Sequence, residues 1–224
     1  MTDTSTRRCQ RLHFLHSCHV RYVFDRLSFT NPLLIELGFT ESERPRAGQL
    51  YWSAFGAKLR SAFGDEDTGA EIVTQALHPE RVLAARSGGE LVGLCGFYQG
   101  GRGAADLTWP PLRSRLGALG ALRALLVLRP LARRPRSGVL VMDGICVAQE
   151  HRGQGVGSAL LTAVLDHARS RGDSAVQLSV IDSNPRAEAL YRRTGFEVVS
   201  EGSLGPLSRL YGFESYLTMQ RPVR

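Results

Sequence analysis

A glycine-rich turn led by an arginine is the segment of this sequence best suited to chemistry. The turn consists of Arg152, Gly153, Gln154, Gly155, Val156, Gly157 and Ser158. An apolar run that predicts a buried strand precedes it, and an amphipathic helix is predicted after it. A helix N-terminus offers free backbone N–H groups and a positive dipole end, and glycines let a ligand approach the backbone closely. The turn is therefore a predicted cradle for the phosphates of a ligand.

Two other kinds of phosphate-binding turn fit these residues less well. The dinucleotide pattern G-x-G-x-x-G would need Gly or Ala where this chain has Ser158, and its ribose-binding acid follows by roughly 20 residues. Asp182, the first acid after the next predicted strand, lies 29 residues beyond Gly153. The phosphate loop G-x-x-x-x-G-K-[ST] is absent, since Lys58 is the only lysine of the chain. Dinucleotide, kinase and NTPase interpretations therefore lose support.

A second motif downstream indicates which ligand the turn binds. Residues 184–196 read N-x-x-A-x-x-L-Y-x-x-x-G-F, and Arg152-x-x-Gly155-x-Gly157 reads R-x-x-G-x-G. With both motifs in this order and spacing, the chain resembles the GCN5-related N-acetyltransferase (GNAT) superfamily. The resemblance covers about residues 31–224 and is sharpest over 139–200. One glycine motif alone would be weak, whereas the two together are a strong indication.

The resemblance implies an α/β (α+β) architecture, the GNAT fold, with a mixed and mostly antiparallel central sheet flanked by helices. Hydrophobic periodicity agrees with it and predicts the order β-α-β-β-(α)-β-α-β-α-β-β. Residues 31–224 would form the N-acetyltransferase domain. Residues 1–30 have little periodicity and several charges, so they are predicted to be an N-terminal extension, for which disorder is one open alternative.

The elements that position the turn can be bounded from the same periodicity. Strands are predicted at about 33–39, 81–86, 91–98, 139–147, 175–180, 196–199 and 216–220. Helices are predicted at about 43–62, 112–131, 156–171 and 185–193, the second of them broken near Gly117 and Gly120. The helix after the turn shows apolar residues at helical spacing, namely Leu160, Leu161, Val164, Leu165 and Ala168.

By the resemblance, the ligand of the turn is acetyl-CoA, used as a co-substrate. Its pyrophosphate would bind the backbone of the turn, assisted by Arg152, and its pantetheine arm would lie along the preceding strand. The backbone implied is that of Ile145, Cys146 and Val147, where one N–H would polarise the thioester carbonyl. Asn184 would cap its helix and also bond the pantetheine arm. No metal site is predicted.

Two residues are candidates for moving protons in acetyl transfer. Tyr191 stands at the tyrosine of the second motif and would be the general acid that protonates the departing thiolate. The alternative for Tyr191 is a packed aromatic. Asp143 would be the general base, because period-two alternation places it on the face of Ile145 and Val147 beside the acetyl group. An equal alternative for Asp143 is a strand-entry residue paired with a nearby arginine.

The implied function is direct transfer of acetyl from acetyl-CoA to a primary amine of an unidentified small-molecule or protein acceptor. Cys146 is the one nucleophile near the site, and its strand position argues against an acyl-cysteine. Glu71 and Asp106 are candidate acids of an acceptor pocket, and Lys58 is expected on a solvated helix face. The alternative function is a non-catalytic module that binds an acyl-CoA as a sensor or structural ligand.

The composition indicates which other classes of protein this sequence does not fit. The chain has 224 residues, of which 43% are hydrophobic and 22% charged, values that are ordinary for a soluble globular protein. Its net charge of +7 is almost wholly arginine, which we attribute to genome composition, so no nucleic-acid partner is expected. No signal peptide or membrane span is predicted, and four cysteines without a pairing pattern favour the cytoplasm. A homodimer is compatible with the sequence.

Overall fold

The chain alternates strands and helices over most of its length. The structure, a computed structural model, describes residues 9–11, 21–24, 32–131 and 136–223. Its strands are β1 (Cys9–Arg11), β2 (Arg21–Phe24), β3 (Leu33–Leu37), β4 (Val82–Ser87), β5 (Glu90–Phe97), β6 (Val139–Val147), β7 (Ala175–Ile181), β8 (Glu197–Ser203) and β9 (Ser215–Pro222). Its helices are α1 (Arg44–Leu59), α2 (Glu66–Ala76), α3 (Trp109–Leu128), α4 (Val156–Ser170), α5 (Pro185–Arg193) and α6 (Ser208–Tyr211).

These strands form one mixed sheet in the order β1-β2-β3-β4-β5-β6-β7-β9-β8. Neighbouring strands pair antiparallel except β6 and β7, which run parallel because α4 carries the chain back between them. The last strand, β9, pairs with both β7 and β8 and so lies inside this half of the sheet. The predicted fold class, a mixed and mostly antiparallel sheet flanked by helices, is confirmed.

Helices cover both faces of the sheet and produce two apolar cores. On one face, α4 and α5 pack against the sheet, and the predicted apolar side of α4 is buried there in full. On the other face, a second core contains Leu50 of α1, Ile72 of α2 and Leu112 of α3. Within the described ranges, no helix combines the length and apolarity that crossing a membrane requires.

Two helices of the structure, α2 and the short α6, have no counterpart among the predicted helices. Helix α2 was not predicted, although Asp65 is its N-cap and accepts the Thr68 N–H at 2.8 Å, and acidic residues occupy its first turn. That capping signal was available in the sequence. In α3 the predicted break is confirmed at Gly117, whose φ of 70° is not helical, whereas Gly120 remains in the helix.

Two short segments of the predicted N-terminal extension belong to the sheet. β1 pairs with β2, β2 pairs with β3, and Tyr22 is buried in the core next to α4. The rest of residues 1–30 lies outside the described residues. The domain boundary at residue 31 therefore stays a prediction.

An ion pair between Glu43 and Arg86 joins the start of α1 to β4 and generates a pH prediction. Hydrogen bonding to Arg86 at 2.7 Å lowers the pKa of Glu43 from 4.5 to about 2. Because the folded pKa is below the unfolded one, this stabilisation is complete above about pH 4.5 and is lost as the pH falls through about 2. We expect Glu43→Gln to lower the free energy of unfolding by about 1–2 kcal/mol at pH 7.

Urea titrations of the parent and Glu43→Gln at pH 7 and pH 3 would measure this effect. The difference between the two proteins should shrink at the lower pH. Glu41→Gln is a matched control, because Glu41 pairs with Arg44 at 2.7 Å but is exposed, and such pairs contribute little. A pH-independent difference, or an equal loss in the control, would contradict the prediction.

Candidate active site

An opening between β6 and β7 is the main structural feature around the glycine-rich turn. The two strands pair only at Val139 to Val141 of β6, opposite Ala175 to Gln177 of β7. From Met142 onward β6 pairs with β5 alone. The second half of β6 therefore presents an unpaired backbone edge, and this edge leads directly to the turn at residues 152–158.

A β-bulge in β6 decides which way its side chains point. Gly96 of β5 pairs with Gly144 and Phe97 pairs with Met142, so Asp143 is the extra residue of the bulge. Met142 lies in the core next to α4, whereas the Asp143 carboxylate contacts α1 on the other face. The prediction that Asp143 shares the face of Ile145 and Val147 is wrong, because the bulge interrupts the period-two alternation.

The backbone of β6 offers hydrogen-bonding groups to the opening. The Ala148 N–H donates to the Val92 carbonyl of β5 at 2.9 Å. Because groups alternate along an antiparallel strand, Cys146 also directs its N–H and C=O to β5, whereas Ile145 and Val147 direct theirs to the open side. The Val147 carbonyl accepts from Arg152 Nε at 3.2 Å, in agreement with this alternation. Ile145 and Val147 thus supply the groups a ligand would meet.

The turn itself requires its glycines for two different reasons. Gly153 and Gly155 have φ values of 78° and 93°, a left-handed conformation that other residues rarely adopt. Gly157 provides space, since a Cβ there would lie 3.1 Å from Leu190 Cδ2 of α5. Val156 is buried in the core, so only its backbone can serve a ligand.

The start of α4 leaves backbone donors at the mouth of the opening. The first helical hydrogen bond runs from the Ala159 N–H to the Gly155 carbonyl at 3.0 Å. The N–H groups of Gly155 to Ser158 precede it and have no acceptor within the helix. Together with the helix dipole, they form a site suited to an anion. These donors are compatible with the predicted phosphate cradle, which stays a prediction.

Polar contacts hold the segment before α4 in place. Gln154 Nε2 donates to the Glu150 carbonyl at 2.9 Å, and the Glu150 carboxylate pairs with Arg46 of α1 at 2.9 Å. Arg46 also donates to the Leu91 carbonyl of β5 at 3.3 Å. The turn is therefore attached to α1 and β5 as well as to β6.

The Asp143 carboxylate is bound by two elements distant in sequence. Its Oδ2 accepts from the Tyr51 hydroxyl of α1 and from the Ala104 N–H, both at 3.0 Å. Burial and the neighbouring carboxylate raise the pKa of Tyr51 well above its usual value, so this hydroxyl stays protonated and donates. Neither prediction for Asp143 included these partners. Tyr51 lies 92 residues away in sequence, and no local pattern connects the two.

Tyr191 lies on α5, on the opposite side of the sheet from Tyr51, and Asn184 immediately precedes that helix. Tyr191 is buried in the core next to α4, with its ring centroid 6.1 Å from that of Phe196. Asn184 is the N-cap of α5, and its Oδ1 accepts the Ala187 N–H at 3.2 Å. The predicted capping role of Asn184 is confirmed, whereas its contact with a ligand stays a prediction.

Two further predicted acids, Glu71 and Asp106, are each paired with an arginine. Glu71 pairs with Arg115 at 2.8 Å, and Asp106 accepts from Arg102 at 3.2 Å. Lys58 is half-buried, with Nζ close to two aromatic rings, and is not on a fully solvated face. Among the described residues, no group of three or more His, Cys, Asp or Glu is arranged to hold a metal ion.

Comparisons with known proteins give the family of the chain and several proteins of similar fold. The family model described as the acetyltransferase (GNAT) family matches residues 45–196. An N-acetyltransferase from Staphylococcus aureus Mu50 has a similar fold, with a TM-score of 0.60 at 15% identity over 84% of this chain and 99% of that one. A GCN5-related N-acetyltransferase from Kribbella flavida gives a TM-score of 0.56 at 19% identity, over 85% and 97% of the two chains.

Two curated relatives match shorter segments. The thialysine N-epsilon-acetyltransferase of Bos taurus is 37% identical over 62 residues, which are 28% of this chain and 36% of the relative. The mycothiol acetyltransferase of Propionibacterium freudenreichii is 43% identical over 67 residues, which are 30% and 20%. The matched segments thus span about a third or less of these two relatives. The family match covers most of the chain, and the chain belongs to the acetyltransferase (GNAT) family.

The hydrogen bond between Tyr51 and Asp143 yields a stability prediction. Tyr51→Phe keeps the ring against Phe55, whose centroid is 4.6 Å away, and removes only the donor to the carboxylate. We expect the free energy of unfolding in urea to fall by about 1–2 kcal/mol, since a buried acceptor loses a partner. In an Asp143→Ala background the same change should cost much less. Equal costs in the two backgrounds would show that the residues are not coupled.

Proposed function

We propose that this chain is an acetyl-CoA-dependent N-acetyltransferase that moves an acetyl group directly to a primary amine. The observation that carries the proposal is the opening between β6 and β7, which leads from the Asp143 bulge to the donor-rich start of α4. A phosphate group at one end and a reacting group at the other would suit a long, narrow ligand. Membership of the acetyltransferase family supports the same interpretation.

The residues of the opening fit acetyl-CoA, which would supply the acetyl thioester. The backbone N–H groups of residues 153–158 would hold the pyrophosphate, with Arg152 beside them. The outward-facing N–H and C=O groups of Ile145 and Val147 would pair with the amides of the pantetheine arm as a neighbouring strand does. Asn184 would bind the same arm from the start of α5.

Asp143 and Tyr191 are proposed to move the protons of the reaction. Asp143 would accept a proton from the acceptor amine, which approaches on the α1 face where the carboxylate lies. Tyr191 would donate a proton to the departing sulfur from the α5 side. Placing the acid and the base on opposite faces of the sheet separates the two proton transfers, because the opening lies between them.

A covalent route through Cys146 is disfavoured by its surroundings. Cys146 is 6% exposed, and burial raises the pKa of its thiol to about 12. A thiol in that state is almost entirely protonated at neutral pH, and the thiolate is the nucleophilic form. Direct transfer to the amine is therefore the proposed route.

The names of the relatives do not agree on one acceptor substrate. Their names refer to thialysine and mycothiol, which differ in chemistry. A cytoplasmic location also stays a prediction; Cys95 and Cys146 are buried free thiols. The absence of a nucleic-acid partner and the presence of a homodimer stay untested predictions as well.

A thiol-release assay with acetyl-CoA and a broad panel of primary amines would test the proposed function. Release of free CoA that depends on the added amine supports the enzyme. Tight binding of acetyl-CoA without turnover on any amine would overturn it in favour of the sensor alternative.

The cradle can be tested through a left-handed glycine. We expect Gly155→Ala to weaken acetyl-CoA binding about tenfold or more in calorimetry, because Ala resists the φ of 93° and the N–H groups would turn away. Gly172→Ala is a matched control, since its φ of 79° follows the other end of α4 and should leave the affinity unchanged. Equal affinities of the two variants for acetyl-CoA would contradict the proposed phosphate cradle.

Substitutions of Asp143 and Cys146 test the proposed general base and the direct transfer of the acetyl group to the amine. Asp143→Asn should lower kcat about 100-fold or more, the usual effect of losing a general base, with little change in acetyl-CoA affinity. Cys146→Ser should retain most of the turnover. Loss of turnover in Cys146→Ser with an intact fold would overturn direct transfer.

A further inference from the structure

One face of α1 carries a row of side chains that leads away from the bulge. Tyr51, Phe55 and Lys58 follow each other at helical spacing, so they share this face. Tyr51 donates to Asp143, and Phe55 lies over Gly144, the next residue of β6, because a Cβ at Gly144 would overlap its ring. Lys58 Nζ lies 5.9 Å from the centroid of Phe55. The row therefore runs from a carboxylate through aromatic rings to an ammonium group.

The loop before β9 approaches the same row from the other side. Lys58 Nζ lies 5.6 Å from the ring centroid of Phe213, which is buried. The Tyr211 hydroxyl donates to the Val127 carbonyl of α3, which attaches this loop to the helices that cover the α1 face. The ammonium group is thus held between α1 and the loop at residues 204–214.

Beyond the opening, β7 and β9 carry two polar residues on the α1 side of the sheet. In β7, Leu178 and Val180 are buried in the core next to α4, so Ser179 points to the opposite face. Thr218 of β9 is directly opposite Ser179, and both side chains are half-buried. A substrate that extends from Asp143 across the opening would meet these two hydroxyl groups on the α1 side.

We infer that the acceptor is an amine that also carries an acidic group, joined to the amine by an apolar spacer. This inference rests on the proposed function. The amine would lie at Asp143, the spacer would pack against Phe55 and Phe213, and Lys58 would pair with the acidic group. A second amine at that position would meet the like charge of Lys58, which disfavours diamines and polyamines.

A purely structural role for Lys58 would have different consequences. Lys58 is in the last turn of α1, where a cation stabilises the helix dipole, and cation–π contacts add to this. Such a role changes stability but does not discriminate between acceptors. The test therefore needs a readout of charge preference at constant chain length.

Three amines of equal length provide that readout. The probes are 6-aminohexanoate, which is acidic at the far end, 6-aminohexanamide, which is neutral there, and 1,6-diaminohexane, which is cationic. We expect kcat/KM of the parent protein for the acidic probe to exceed that for the neutral probe about tenfold or more, and the cationic probe to be slowest. The calorimetric affinities of the three probes, measured without acetyl-CoA, should follow the same order.

Variants at Lys58 then connect the preference to this side chain. Lys58→Met should abolish the preference for the acidic probe, and Lys58→Arg should retain most of it. Arg60→Met removes an exposed cation two residues away and is a matched control that should keep the preference. Thermal unfolding of each variant separates loss of folding from loss of preference.

Each result has a definite meaning for the inference. A parent protein that treats the acidic and neutral probes alike, or a Lys58→Met variant that keeps the preference, overturns it. If none of the three probes reacts while another amine does, the inference is wrong and the proposed function stands. If no amine of any kind reacts, both are overturned.

Discussion

The extra residue that β6 inserts at Asp143 is the constraint on which the rest of the site depends. A regular strand would place Asp143 on the face of Ile145 and direct it into the apolar core next to α4. The bulge instead turns the carboxylate toward α1, where Tyr51 and Ala104 donate to it. The same strand leaves β7 just before the bulge, so the change of side-chain direction and the start of the opening coincide.

Much of the candidate site is made of backbone. Ile145 and Val147 contribute N–H and C=O groups to the open edge while their side chains pack on the core. At the turn, Gly153 and Gly155 permit the left-handed path, and the residues that follow present unpaired N–H groups. Side chains in this region mainly fix the position of that backbone. A ligand that binds mainly through backbone groups requires few specific side chains. This explains why a short sequence motif is enough to indicate the predicted ligand.

The two faces of the sheet differ in the residues that they present. The α4 and α5 face is apolar and holds the turn, α5 and Tyr191 against one core. The α1 face combines an apolar core over β4 and β5 with polar, half-buried residues over β7 and β9. The Glu150–Arg46 ion pair links α1 to the turn across this division. Helix α1 therefore contacts both the segment before α4 and the Asp143 carboxylate, the two regions to which the proposed cradle and the proposed acceptor side belong.

The sequence by itself determined the parts of this protein that depend on neighbouring residues. The glycine turn, the N-cap at Asn184, the apolar side of α4 and the break at Gly117 follow from local backbone preferences and helical spacing. Only the tertiary structure decided the direction of Asp143, its contact with Tyr51, the insertion of β9 beside β7 and the position of Lys58 against Phe213. These features depend on a register shift and on contacts between residues far apart in the chain, which no local pattern encodes.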